Sequence, residues 1–273
     1  MKVYTLMENT AGKNSCQIEH GLSLYFETKG HKILMDTGAS NGFLENAKTL
    51  QVELEDVDIC LLSHGHYDHA GGILGFAQIN PKAPILMNHY AGNDFYHNSA
   101  TEERYIGIDK AILNLPQVRL LTGDEKLDEE LSVFTNVTGR RLWPEGNKVL
   151  SEKKNGVFVQ DEFLHEQYLV ISEEGKNVLV SGCAHNGVLN ILERYQALYG
   201  GCPDAVISGF HMKKKTEYTA LEIAVIKETA EELKKLPTVF YTGHCTGEQP
   251  YEIMKEIMGE KIHYIHSGDI FEL

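Results

Sequence analysis

Four side chains able to bind divalent cations fall within six consecutive positions: His64, His66, Asp68 and His69, inside the segment LSHGHYDHAGG at 62–72. Imidazole nitrogen and carboxylate oxygen are ligands for zinc and similar ions. His64 and His66 are two residues apart, so extended backbone places them on one side. Asp68 and His69 are then free to turn toward a second point. Gly65 permits a tight bend, and Gly71-Gly72 lets a helix start close to the cluster. The bland alternative is a polar loop that holds histidines by chance. So dense a set, directly after an apolar strand, weighs against it.

The elements that must position this cluster read as alternating strands and helices. Residues 22–28 and 31–36 alternate around Lys29-Gly30 as a hairpin should. The continuous apolar runs at 57–63 and 84–88 predict strands buried on both faces. Three more such runs follow, at 177–181, 205–208 and 238–241. Helical patterns separate them at 186–199, stopped by Gly200-Gly201, and at 219–236, ended before Pro237. Asn186 and Thr219 are the expected N-caps. Each late strand runs out into Gly and His: Gly182-Cys183-Ala184-His185, Gly209-Phe210-His211 and Gly243-His244. An early one ends in Asp36-Thr37-Gly38. In open α/β sheets ligands collect outside the carboxyl ends of strands. Core packing alone explains single histidines, His211 most readily, but poorly explains five such strand ends. The expected fold is α/β, a four-layer αββα sandwich in a single domain over 1–273. Residues around 90–160 are expected to form an insertion with long loops, a lid over the site.

Composition narrows the partners. The 273 residues carry a formal net charge of −14, spread along the chain. Such a surface repels phosphate backbones and anionic lipid, so no nucleic acid and no membrane surface is expected as a partner. A small-molecule substrate is. No run reaches transmembrane length and no signal peptide is read. The five cysteines are odd in number and form no CxxC pair, which points to a reducing, cytoplasmic setting. Oligomeric state is not legible here.

Asp36-Thr37-Gly38, the HxHxDH cluster at 64–69, His185 and His244 together resemble the metallo-β-lactamase superfamily, over nearly the whole chain. More closely, Gly182–His185, Gly209–His211 and Gly243–Gly247 resemble the branch similar to dihydropterin-methyl-aminobenzene-ribofuranosyl phosphate synthase. The resemblance implies the αββα fold and two divalent metal ions, with zinc the first choice and iron or manganese the alternatives. It implies His64, His66 and His185 around one ion, Asp68, His69 and His244 around the other, and Asp36 orienting a ligand histidine. Cys183 stands where most of the superfamily has a bridging Asp. It is read as a small buried neighbour of the ligands, with a thiolate ligand as the alternative. His165 lies roughly where another ligand loop would fall, so the third ligand of the first metal is His185 or His165, with His185 preferred.

The chemistry expected is that of a binuclear metal-dependent hydrolase, using a metal-activated hydroxide on an ester, phosphoester or related bond. Asp68 and His211 are the candidate catalytic groups, His211 as proton donor or oxyanion partner. Tyr67, Arg140 and Arg141 are candidates for binding the substrate, an anionic one in the arginines' case. Lys213-Lys214-Lys215 is more simply a solvated run. Alternatives are a pterin-pathway synthase on the same site and a non-enzymatic metal-dependent ligand sensor. A di-iron redox protein is disfavoured by His66, and a nuclease by the acidic balance.

Overall fold

The computed structural model describes residues 1–273. Two seven-stranded sheets carry the chain. The first runs, in spatial order, Ile270–Glu272, Lys2–Met7, Ser23–Glu27, Lys32–Met35, Ile59–Leu61, Ile85–Asn88, Val118–Leu121. The second runs Ile262–Tyr264, Val239–Thr242, Ala205–Ile207, Lys176–Val180, Tyr168–Glu173, Leu131–Phe134, Glu125–Lys126. Each begins as an antiparallel meander and becomes parallel where helices supply the crossovers. The sequence-read strands at 22–28, 31–36, 57–63 and 84–88 all lie in the first sheet. Those at 177–181, 205–208 and 238–241 lie in the second.

Side-chain alternation builds the layers. Leu24, Phe26, Ile33 and Met35 point one way, into a core shared with Leu169, Ile171, Val178 and Val180 of the other sheet. Tyr25 and Leu34 point the other way, onto Phe43 and Phe76 of the helices Gly42–Thr49 and Ile73–Ile79. On the far side, Val170, Leu179 and Val206 meet Leu192, Ala230 and Met254 of the helices Val188–Tyr199, Ala220–Lys234 and Glu248–Met258. The layers are therefore helix, sheet, sheet, helix. Burying a Phe or Leu contributes roughly 1.5–3 kcal/mol, so this apolar filling holds the sheets face to face. No helix is long and apolar enough to cross a membrane.

Two expectations change. Residues 90–160 are not an insertion of long loops. Val118–Leu121 extends the first sheet, while Glu125–Lys126 and Leu131–Phe134 extend the second. Phe95–Asn98, Glu103–Tyr105 and Leu150–Lys154 join Val157–Gln160 in a separate four-stranded sheet. One face of that sheet packs Phe95 and Leu150 with Ile106 and Phe163 beside the site. Nor is Asn186 the cap of its helix. Gly187, at φ 87°, takes that place, and the Asn186 amide donates to the Glu166 carboxylate at 2.8 Å. That buried carboxylate needs donors more than the helix end needs a side chain. Thr219 does cap its helix, in a reciprocal box with Glu222.

Candidate metal centre

The loops at the carboxyl ends of the parallel strands converge where the two sheets meet, as this topology favours. Four non-glycine residues there adopt left-handed backbone: Asp36 (φ 61°), Ala184 (φ 52°), His211 (φ 49°) and His244 (φ 52°). Such conformations cost of order 1–3 kcal/mol each and persist where surroundings impose them, often at functional sites. The close approach of the sheets also fixes Gly182. A Cβ there would lie 2.8 Å from the Ser63 Cβ and 3.0 Å from the His64 Nδ1.

Hydrogen bonds set the imidazole tautomers. The Asp36 carboxylate accepts from the Ser63 backbone N–H and from its hydroxyl, both at 2.7 Å. With that hydroxyl proton committed, the Ser63 oxygen accepts from His64 Nδ1 at 2.8 Å. His185 Nδ1 donates to the Asn147 side-chain oxygen at 3.0 Å, whose orientation is fixed because its NH2 donates to the His185 carbonyl. His69 Nδ1 donates to Asp36 Oδ2 at 2.6 Å. His244 Nδ1 donates to Asn9 Oδ1 at 3.0 Å, and the Asn9 NH2 bonds the His244 carbonyl. Each Nδ1 holds a proton, so when these rings are neutral each Nε2 presents a lone pair.

Those lone pairs converge. The Nε2 atoms of His64, His66 and His185 are buried with no hydrogen-bond partner. The His66 ring centroid lies 4.6 Å from that of His64 and 4.8 Å from that of His185. His69 Nε2 and His244 Nε2 face each other at 3.2 Å. Two acceptors at that separation repel unless a proton or a cation lies between them. Asp68 Oδ2 is 3.4 Å from His244 Nε2 and 3.3 Å from His20 Nε2. Orphaned donors of this kind, on anchored rings, fit divalent cations in the zinc class.

Electrostatics follow from burial. Desolvation, reinforced by neighbouring imidazoles, pushes His64 and His185 well below the usual histidine range. Desolvation takes His66 down to about 3, so these rings are neutral and able to ligate. Burial would also lower His69, but the Asp36 carboxylate outweighs it and raises His69 to about 9. Burial would raise the Asp68 carboxyl, yet the His244 hydrogen bond and the rings of His69, His244 and His20 hold it well below the carboxylate range.

Of the sequence candidates, the structure brings together His64, His66, Asp68, His69, His185 and His244, with Asp36 beneath them. His165 is spent: its Nδ1 accepts from the Gly65 N–H at 2.9 Å and its Nε2 pairs with Asp161 at 3.1 Å. It has no nitrogen left for a cation, whereas His185 does. His211 packs its ring 4.1 Å from that of His185, with Nδ1 buried and unpartnered. The Cys183 Sγ lies 3.2 Å from His69 Nε2, nearer than a packing role requires. Tyr67 lies beside the cluster with Arg104 over its ring. Arg140 bonds Asn186 Oδ1 at 3.2 Å and pairs with Glu162. Arg141 pairs its half-exposed guanidinium with Glu232 on the outer helix Ala220–Lys234 at 2.7 Å. Lys214 is likewise tied to Glu222.

Sequence reasoning missed His20, Glu8, Asn9, Ser63, Asn147 and Glu166. Glu166 accepts from the His185 N–H at 2.7 Å and from the Asn186 N–H at 2.9 Å. Glu8 accepts from the His244 N–H at 2.5 Å. Only Ser63, adjoining the cluster, had a signal in the sequence.

Fold and site together define a metallo-β-lactamase-type centre, and the chain belongs to the metallo-β-lactamase superfamily, whose family model matches residues 18–149. Over 100% of this chain and 96% of the relative, it is 30% identical to a 7,8-dihydropterin-6-methyl-4-(β-D-ribofuranosyl)-aminobenzene-5′-phosphate synthase of Methanocaldococcus jannaschii. A solved metal-dependent hydrolase of the β-lactamase superfamily superposes with a TM-score of 0.84 at 27% identity, covering 100% of this chain and 99% of that one. A metallo-β-lactamase fold protein from Bacillus subtilis shares the fold alone, with a TM-score of 0.57, 13% identity, and coverage of 99% and 98%.

Proposed function

We propose that this chain is a binuclear metal-dependent hydrolase acting on an ester, phosphoester or related bond of a small, anionic substrate. The observation that carries the proposal is the set of buried, partnerless Nε2 atoms on His64, His66 and His185, facing the His69–His244 pair. The residues that would hold cations are His64, His66 and His185 on one side, and Asp68, His69 and His244 on the other, with zinc the first choice. When bound, such ions supply Lewis acidity and a water ionised near neutral pH.

The chain's own groups do the rest. Asp36, Ser63, Asn147 and Asn9 keep the Nδ1 protons of His69, His64, His185 and His244 in place, so those four rings need not reorganise during turnover. His211, only partly buried, is positioned to give a proton from its ring to a leaving group. Arg140 supplies positive charge for an anionic group, because its Glu162 partner is exposed and such pairs are weak. The five free cysteines support a cytoplasmic setting.

A pterin-pathway synthase on the same site is the second reading, favoured by the full-length similarity to the archaeal synthase. The deciding experiment offers zinc-loaded protein phosphodiester, phosphomonoester, lactone and thioester substrates. Hydrolysis that is lost in His64→Ala supports the first reading. Inertness across the panel, together with condensation of a pterin with an aminobenzene ribosyl phosphate, replaces it with the second.

A further inference from the structure

Cys183 sits in the turn after the strand Lys176–Val180 and is 3% exposed. Its Sγ belongs to three sets of candidate ligand atoms, one of them with His211 and Cys245 and the other two with the ring nitrogens of the site. With His64 and His185 it forms one set, all within 4.8 Å of one another, and with His69 and His244 it forms another on the same criterion. No other residue is shared by these two sets. The Nε2 atoms of His64 and His185 in the first are buried without a partner, and the second contains the Nε2 atoms of His69 and His244, 3.2 Å apart.

We propose that Cys183 ligates as a thiolate and bridges the two cations, a role that rests on the two-cation reading above. The chemistry balances without an oxidant. The S–H bond breaks, its proton leaves to solvent, and the sulfur's lone pairs form bonds to both cations. Coordination to a cation deprotonates the thiol, as it does to thiols generally. A sulfur at the centre of the site also sets metal preference. Soft thiolate selects zinc over magnesium, manganese or calcium, which prefer an all-oxygen set.

Cys245 provides the internal control. Its Sγ lies 3.5 Å from the Cys183 carbonyl and receives the His211 N–H at 3.3 Å; it joins Cys183 and His211 in the third set but neither of the two that hold His64, His185, His69 and His244. The remaining cysteines, Cys16, Cys60 and Cys202, are in none of the three.

The test is spectroscopic. X-ray absorption of zinc-loaded wild-type protein should show sulfur at roughly 2.3 Å from zinc. Cobalt-loaded protein should show a near-ultraviolet sulfur-to-metal charge-transfer band. Both signals should persist in Cys245→Ser and vanish in Cys183→Ala. A shell of nitrogen and oxygen alone in the wild type overturns the proposal while leaving the cation sites intact. So does sulfur scattering that survives in Cys183→Ala or disappears in Cys245→Ser. Wild-type protein that takes up no metal overturns both this role and the reading beneath it. Should Cys183→Ala fail to fold, persistence in Cys245→Ser still assigns the donor, because no other sulfur belongs to either of the two sets that hold the ligand histidines.

Discussion

His69 Nδ1 and Asp36 Oδ2 meet at 2.6 Å, with both side chains at most 1% exposed. The same carboxylate also takes both donors of Ser63, whose oxygen in turn orients His64. One buried charge therefore anchors a ring in each half of the site. Replacing Asp36 by Asn puts an NH2 against one of these donors. We expect Asp36→Asn to weaken metal binding by about 10–100-fold, read by competition with a chromophoric chelator. Unchanged affinity would contradict the anchoring role.

The metal-free protein should be most stable near neutral pH. The folded pKa of His69 is raised to about 9, so its stabilisation is complete below the unfolded value of about 6.5 and is lost as pH rises through 9. His66, lowered by burial to about 3, behaves oppositely, as do His64 and His185. That stabilisation is present above about 6.5 and is lost as pH falls below it, for His66 toward about 3. Thermal melts of chelator-treated protein across pH 4–10 should trace a dome. A melting temperature flat from pH 6.5 to 10 would refute the His69 part.

His165→Ala should leave metal content at the wild-type level, because both His165 nitrogens are already bonded. Its cost falls on stability. Asp161 then keeps only the Phe163 N–H among the donors named for it, and a buried acceptor left short of a donor costs roughly 1–3 kcal/mol, visible in chemical denaturation. Loss of a metal equivalent would instead return His165 to the ligand set.

His211→Gln should reduce turnover by about 10²–10⁴-fold with metal content unchanged, measured on whichever substrate the panel yields. By contrast Thr219→Ala, on the outer helix, should cost about 1 kcal/mol through loss of the cap and leave metal content and turnover alone.

Much of the site was legible because its ligands follow apolar strands directly. His64, His185 and His244 each stand just past a run whose burial the sequence already shows. What stayed hidden depends on sheet order. Glu8 and Asn9, just past the end of Lys2–Met7, reach His244 only once the strands are assembled. Asn147 and Glu166 carry no spacing motif. Strands of 90–160 such as Glu103–Tyr105 and Val157–Gln160 escaped because their faces are largely exposed, and without burial there is no hydrophobic period to read. Arg140 and Arg141 look alike in the sequence, and only their partners, Glu162 and Glu232, distinguish them.

Metal content decides the matter most directly. Protein purified without added metal, then loaded with zinc and dialysed, should carry two equivalents per chain by plasma mass spectrometry. His185→Ala and His244→Ala should each carry about one. A wild-type chain that retains no zinc, or two variants that each still retain two equivalents, would contradict the paired-cation centre.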